Sequence, residues 1–192
     1  MRKLVLIGYL YFTQLLCAQN LVPNPSFEDY DSCPMYTGQF FVVQDWYSPT
    51  SNSPDYFNSC WNESWNDNPD VPINRFGSET AHSGMAYAGI AGPYTTLNTR
   101  DYVSIILLDS LKAGSKYCLE FYISLGDSSW GGVNFIGAHL STAPDTMYAG
   151  FYLNNLPFQP QIEYDSVISD TSGWTKISGL YTAIGGECYL TI

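Results

Sequence analysis

The chain has 192 residues, 45% hydrophobic and 16% aromatic with only 13% charged, enough for one domain with a buried core and too apolar for a disordered segment. Seven basic residues stand against 18 acidic ones, a net charge of −11, which argues against a nucleic-acid backbone or an anionic membrane surface as a partner. Sixteen Tyr, 10 Phe and 5 Trp beside 16 Gly and 11 Pro favour short strands joined by turns.

Arg2 and Lys3 precede an apolar run over residues 4–16, followed by Cys17-Ala18-Gln19. A short basic region, about a dozen apolar residues and small residues at the end form the pattern of a cleaved secretory signal peptide, assigned to residues 1–19. The run is shorter than the roughly twenty residues that span a bilayer. Leu16 stands where a lipoprotein signal carries a small residue, so lipid on Cys17 is not expected. No later segment has the length of a membrane span. Removing Arg2 and Lys3 leaves 5 basic against 18 acidic residues, or −13. The expected product is exported, either secreted or held at the outer surface or in the periplasm.

Residues 20–192 read as a single domain built from short alternating runs. Residues 21–28 contain Pro23 and Pro25 and are expected at a sheet edge. Residues 39–46, 85–90 and 101–111 follow. Residues 116–125 have the cleanest period of two, with Tyr117, Leu119, Phe121 and Ile123 on the inward face. Residues 133–140, 161–169, 174–181 and 187–192 complete nine strands. No stretch repeats apolar residues at helical spacing for three turns. The expectation is all-β, an antiparallel β-sandwich. Two long aromatic-rich connections interrupt it, residues 47–83, with no strand of their own, and residues 143–160. The last strand stops at full stride at Ile192, which reads as a domain truncated from a longer polypeptide.

Export gives the cysteines a meaning. Cys33, Cys60, Cys118 and Cys188 remain after cleavage, and an even count in an oxidising compartment suggests two disulfides, with three connectivities open. Cys33 and Cys60 both lie in loop-like sequence and are the preferred pair; Cys118–Cys188 then follows by elimination. Parity opposes that second bond, because Cys118 falls on the outward face of its strand while Cys188 shares a face with Leu190 and Ile192. Two free thiols are the alternative.

Asn20-Leu21-Val22-Pro23-Asn24-Pro25-Ser26-Phe27-Glu28, Asp45-Trp46, Ala81-His82-Ser83-Gly84-Met85-Ala86 and Leu111-Lys112-Ala113-Gly114-Ser115-Lys116-Tyr117 occur in that order. Together they resemble the galactose-binding-like jelly rolls found among carbohydrate-binding modules. With Trp46-Tyr47-Ser48-Pro49-Thr50, Asp55-Tyr56-Phe57-Asn58-Ser59-Cys60 and Val71-Pro72-Ile73-Asn74 added, the chain is similar to an N-terminal domain of secreted Bacteroidetes proteins. In that family an OmpA-like or type IX sorting domain often follows, so the resemblance implies a downstream domain. It also implies a structural calcium ion, with Glu28 and carbonyls near residues 82–84 as ligands and a further acid beyond Ile192.

Catalytic signals are few. Gly126-Asp127-Ser128 resembles the nucleophile block of one esterase class, but neither His82 nor His139 has the aspartate three residues earlier which that class needs. Its plainer reading is a polar turn. No zinc spacing occurs, and no pair among the 18 acids stands out as a glycosidase couple. The candidates for ligand contact are Trp61, Trp65, Tyr94, Trp130, Tyr148 and Tyr152, aromatic residues in loop-like sequence with Asn and Asp around them. Ring faces stack on the C–H face of a sugar, so the expected partner is glycan or another surface polymer and the expected protein a non-catalytic surface module. The other reading of the same rings is that they cap the core, in a structural or adhesive spacer without a small ligand.

Overall fold

A computed structural model of the chain describes residues 19–62, 67–92, 100–129, 131–146 and 156–192. Apart from Gln19, the expected signal peptide lies outside them. The described residues contain one three-residue 3-10 turn, η1 (Phe40–Val42), and eleven strands: β1 (Trp46–Tyr47), β2 (Asp55–Asn58), β3 (Ile73–Asn74), β4 (Gly77–Ser78), β5 (Ala86–Gly89), β6 (Ser104–Ile106), β7 (Lys116–Ile123), β8 (Ile136–Ser141), β9 (Ile162–Tyr164), β10 (Thr175–Thr182) and β11 (Tyr189–Thr191). Among the described residues there is no α-helix, nor any helix long and apolar enough to cross a membrane.

All ladders are antiparallel. Five strands form one sheet in the order β1-β6-β11-β8-β9, and three two-stranded ladders, β10-β7, β2-β5 and β3-β4, lie outside it. β11 is hydrogen-bonded on both sides, Leu190 standing between Ile105 and Leu140. One buried cluster joins the large sheet (Trp46, Ile105, Leu140, Leu190) to the β2-β5 ladder (Tyr56, Ala86), and Leu119 and Phe121 of β7 pack against it. Sheets sharing one core across their inner faces are the arrangement expected of a β-sandwich.

β7 follows its period of two closely. Lys116, Cys118 and Glu120 are exposed, while Tyr117, Leu119 and Phe121 face the core. On β10, Gly179 lies opposite Leu119, and a Cβ there would press on Ile162 of β9 at 3.0 Å. The missing side chain lets the buried Ile162 close over the ladder.

The strands expected at residues 101–111 and 161–169 shorten to β6 and β9, and three other expected elements differ in kind. Residues 21–28 form no strand: Pro23 and Pro25 lack donors, and Asn24 and Phe27 turn at φ 42° and 61°. The Asn24 side chain replaces the ladder, donating to the carbonyls of Asp29 (2.8 Å) and Gln44 (2.9 Å) and accepting from Asp29 N–H (3.0 Å). Residues 39–46 become η1 followed by the first residue of β1. Phe40 and Val42 are buried and Phe41 is 72% exposed, so burial alternates as in a strand, yet the N–H groups of Val42 and Val43 turn back to the carbonyls of Gln39 and Phe40. Finally, residues 47–83 are not strandless. They hold β2, β3 and β4, each too short to leave a periodic trace in sequence.

Candidate ligand-binding surface

Of the loop rings expected to meet ligand, Trp61 is described, and Trp65, Tyr94, Trp130, Tyr148 and Tyr152 lie outside the described residues. Trp61 is half-buried beside the Cys33–Cys60 disulfide, and its indole N–H donates to the carbonyl of Met35 at 3.4 Å. The same corner is tied by Asp67, which accepts from the Thr37 hydroxyl (2.9 Å) and the Arg75 guanidinium (2.7 Å). The second expected disulfide does not form. Cys118 is exposed and Cys188 half-buried, both free, in line with the outward parity of Cys118.

Glu28 fastens the N-terminal segment to β5. Its Oε1 accepts from the backbone N–H groups of Met85 (2.7 Å) and Ala86 (3.1 Å), and Gly84 turns past it at φ +68°. A Cβ on Gly84 would collide with that oxygen, so the close approach requires glycine. Calcium takes six to eight oxygens. Glu28 offers one carboxylate here, already turned to two amides, and among the described residues no group of three or more His, Cys, Asp or Glu gathers.

The larger aromatic feature is carried by strands and the segments joining them. Ring contacts run from Phe76 to Phe57 (6.0 Å between centroids), on to Tyr87 (5.1 Å), Trp174 (5.6 Å) and His82 (6.1 Å), and end on Tyr122, where His82 stacks at 3.6 Å. Phe57 is buried; Phe76 and His82 are exposed, and the rest are half-buried. Polar atoms fix the ring orientations: the Trp174 indole N–H donates to the Thr80 carbonyl (2.8 Å), and Asn74 Nδ2 donates to the Tyr87 hydroxyl (2.6 Å). Arg75 lies 5.9 Å over the Phe76 ring. Sequence reasoning looked for rings in loops and missed this set, although the parity that puts Cys118 outside puts Tyr122 on the same face.

Three buried or half-buried acids are shifted in different directions. Burial pushes Asp55 up to about 6; the Gly38 N–H, at 2.6 Å, opposes this, the charges of Asp101 and Asp67 add to it, and Arg75 counters. Asp101 is also raised by burial, against the Ala91 N–H at 2.9 Å. Glu187, 1% exposed, goes the other way. Burial alone would raise it, but the Tyr181 hydroxyl (2.5 Å) and the N–H groups of Ile184 and Gly185 (both 2.8 Å) hold it below the usual range.

The Gly126-Asp127-Ser128 block is a turn clamped to the β3-β4 hairpin. Asp127 Oδ2 accepts from Ser78 N–H (2.8 Å), and Ser128 N–H donates to the Phe76 carbonyl (3.0 Å). His139 points elsewhere. Its Nδ1 lies 2.8 Å from Asp145 Oδ2, which also accepts from Thr191, and its ring stacks on Phe158 at 3.8 Å. Among the described residues no histidine is hydrogen-bonded to Ser128.

Comparisons with protein-family models, with curated proteins and with solved structures gave no match to this chain.

Proposed function

We propose that the chain is an exported, non-catalytic module of the galactose-binding-like jelly-roll kind that binds glycan or another cell-surface polymer through aromatic side chains. The observation that carries this reading is the run of ring contacts from Phe76 to Tyr122. Hydrogen bonds at Trp174 and Tyr87 set the ring angles before any ligand arrives, which lowers the ordering cost of binding. The basic and apolar start of the chain supports export, and the Cys33–Cys60 bond suits an oxidising compartment. If the resemblance extends to its calcium, Glu28 is a ligand from this chain, and calcium should then raise the Tm of the wild type more than that of Glu28→Gln.

A glycan array tests the reading. Saturable binding to a restricted set of glycans, weakened about tenfold or more in Trp174→Ala or Tyr122→Ala, supports it. Silence across the array favours a structural or adhesive spacer in a larger envelope protein. One observation favours that second reading: the polar atoms of Trp174 and Tyr87 are already used within the chain, so these rings also tie Thr80 to the start of β10 and Asn74 to β5.

A further inference from the structure

Away from the ring run, an open cleft of about 340 Å³ lies where η1 meets β1. Its floor is the buried Phe40 and Trp46, and Phe41, Tyr47, Asn52 and Ser53 line its sides. The floor is braced from behind. Trp46 donates its indole N–H to the Asn24 carbonyl at 3.0 Å, and Phe27 packs on the rings of Trp46 (5.0 Å) and Phe40 (6.1 Å). Phe41 is 72% exposed, flanked in sequence by two buried neighbours; its ring has no part in the buried core. Ser53 Oγ makes no hydrogen bond among the described residues and is open to a ligand hydroxyl.

The lining also has a chemistry. In a chain with 18 acidic and 7 basic residues, no acidic or basic side chain lines this cleft among the described residues. A charged ligand would lose hydration against rings and gain no counter-charge, and an anionic one would also meet the field of the net −11. Rings with a few hydroxyl and amide groups suit an uncharged ligand that has one apolar face and an edge of hydroxyls. β1, beside the cleft, is an edge strand of two residues, too short to hold an added peptide strand.

We propose that the cleft between Phe41 and Tyr47 is a binding site for one or two neutral sugar residues, selecting uncharged glycans over uronic, sialylated or sulfated ones. The proposal rests on the glycan-binding reading and adds to it a second site and a ligand class. Phe41 supplies the stacking face and the Ser53 hydroxyl meets the hydroxyl edge, while Asn52 Nδ2 is held on the Arg100 carbonyl at 2.5 Å.

The test uses the full chain, with titration calorimetry against neutral and uronic-acid oligosaccharides of matched length. Phe41→Ala removes an exposed ring and should leave Tm unchanged, while Ser53→Ala provides a second, milder probe. Expected is a cleft site, resolved from the ring-run site by its stoichiometry, that takes neutral oligosaccharides alone and weakens about tenfold in Phe41→Ala and about threefold in Ser53→Ala. Neutral-glycan binding that is unchanged in Phe41→Ala but lost in Trp174→Ala overturns the cleft and leaves the glycan-binding reading standing. Equal or tighter binding of the uronic-acid series overturns the neutral selection. A proline-rich or aromatic peptide that binds in a Phe41-dependent way, with no glycan bound, overturns both the ligand class and the reading beneath it.

Discussion

The β7-β10 ladder and the stretch from Asn24 to Gln44 solve one problem by opposite means. In the ladder, eight consecutive pairs from Thr175–Ile123 to Thr182–Lys116 let the backbone satisfy itself, and side chains only choose a face. Between Asn24 and Gln44 there is no strand; the backbone pairs directly only in short pieces, as where Asp31 N–H meets the Val42 carbonyl (2.8 Å) and Gln44 N–H the Asp29 carbonyl (2.9 Å), and side chains supply much of the rest. Asn24 makes three bonds to backbone atoms, and Gln39 Oε1 accepts from the N–H groups of Met35 (2.6 Å) and Tyr36 (3.1 Å). A ladder spreads its pairing over many residues, whereas a side-chain scaffold concentrates it in a few. Single substitutions should therefore cost more in the second region than its lack of regular structure suggests.

The strongest way to break that scaffold is to cut its covalent tie. Replacing Cys33 and Cys60 together by Ser frees a loop with a sequence separation of 27 and should cost about 3–4 kcal/mol by chemical denaturation. Asn24→Ala should cost about 2–3 kcal/mol, because it leaves backbone groups of Asp29 and Gln44 without their partner. An outward ladder residue such as Ser178→Ala should shift stability by under about 0.5 kcal/mol.

Asp55 sharpens the contrast in a pH-dependent way. Its folded value of about 6 exceeds the ordinary 3.8, so the folded state keeps a proton that the unfolded chain releases. That contribution is fully present below about pH 4 and is lost as pH rises through 6. Two full units would amount to about 3 kcal/mol; partial solvation reduces the expected effect to about 1–2 kcal/mol. Asp55→Asn keeps an acceptor for Gly38 N–H and removes the charge. Urea melts should show it more stable than wild type at pH 8 and equal to it at pH 3.5.

The same division decides what the sequence reveals. Tyr117, Leu119 and Phe121 alternate with Lys116, Cys118 and Glu120, so β7 and its inward face are legible, and so is the outward thiol that stays free. Cys33–Cys60 is legible because both partners sit in turn-rich sequence. The segment at residues 21–28 is not, since apolar residues beside prolines look like an edge strand until Asn24 is seen to replace the ladder. η1 hides because Phe40 and Val42 are buried two apart, as in a strand. The ring run hides for a different reason. Phe57, Phe76, Tyr87, His82, Tyr122 and Trp174 lie up to 117 residues apart, and only the sheet pairings and the turn at Gly126–Ser129 bring them together.

Calorimetric titration with one array-selected glycan, run on Trp61→Ala and Tyr122→Ala side by side, tests the central claim that strand-borne rings form the binding face. Trp61→Ala should keep near wild-type affinity and Tyr122→Ala should lose tenfold or more, with Tm within a few degrees of wild type in both. Affinity abolished in Trp61→Ala and intact in Tyr122→Ala would contradict that claim.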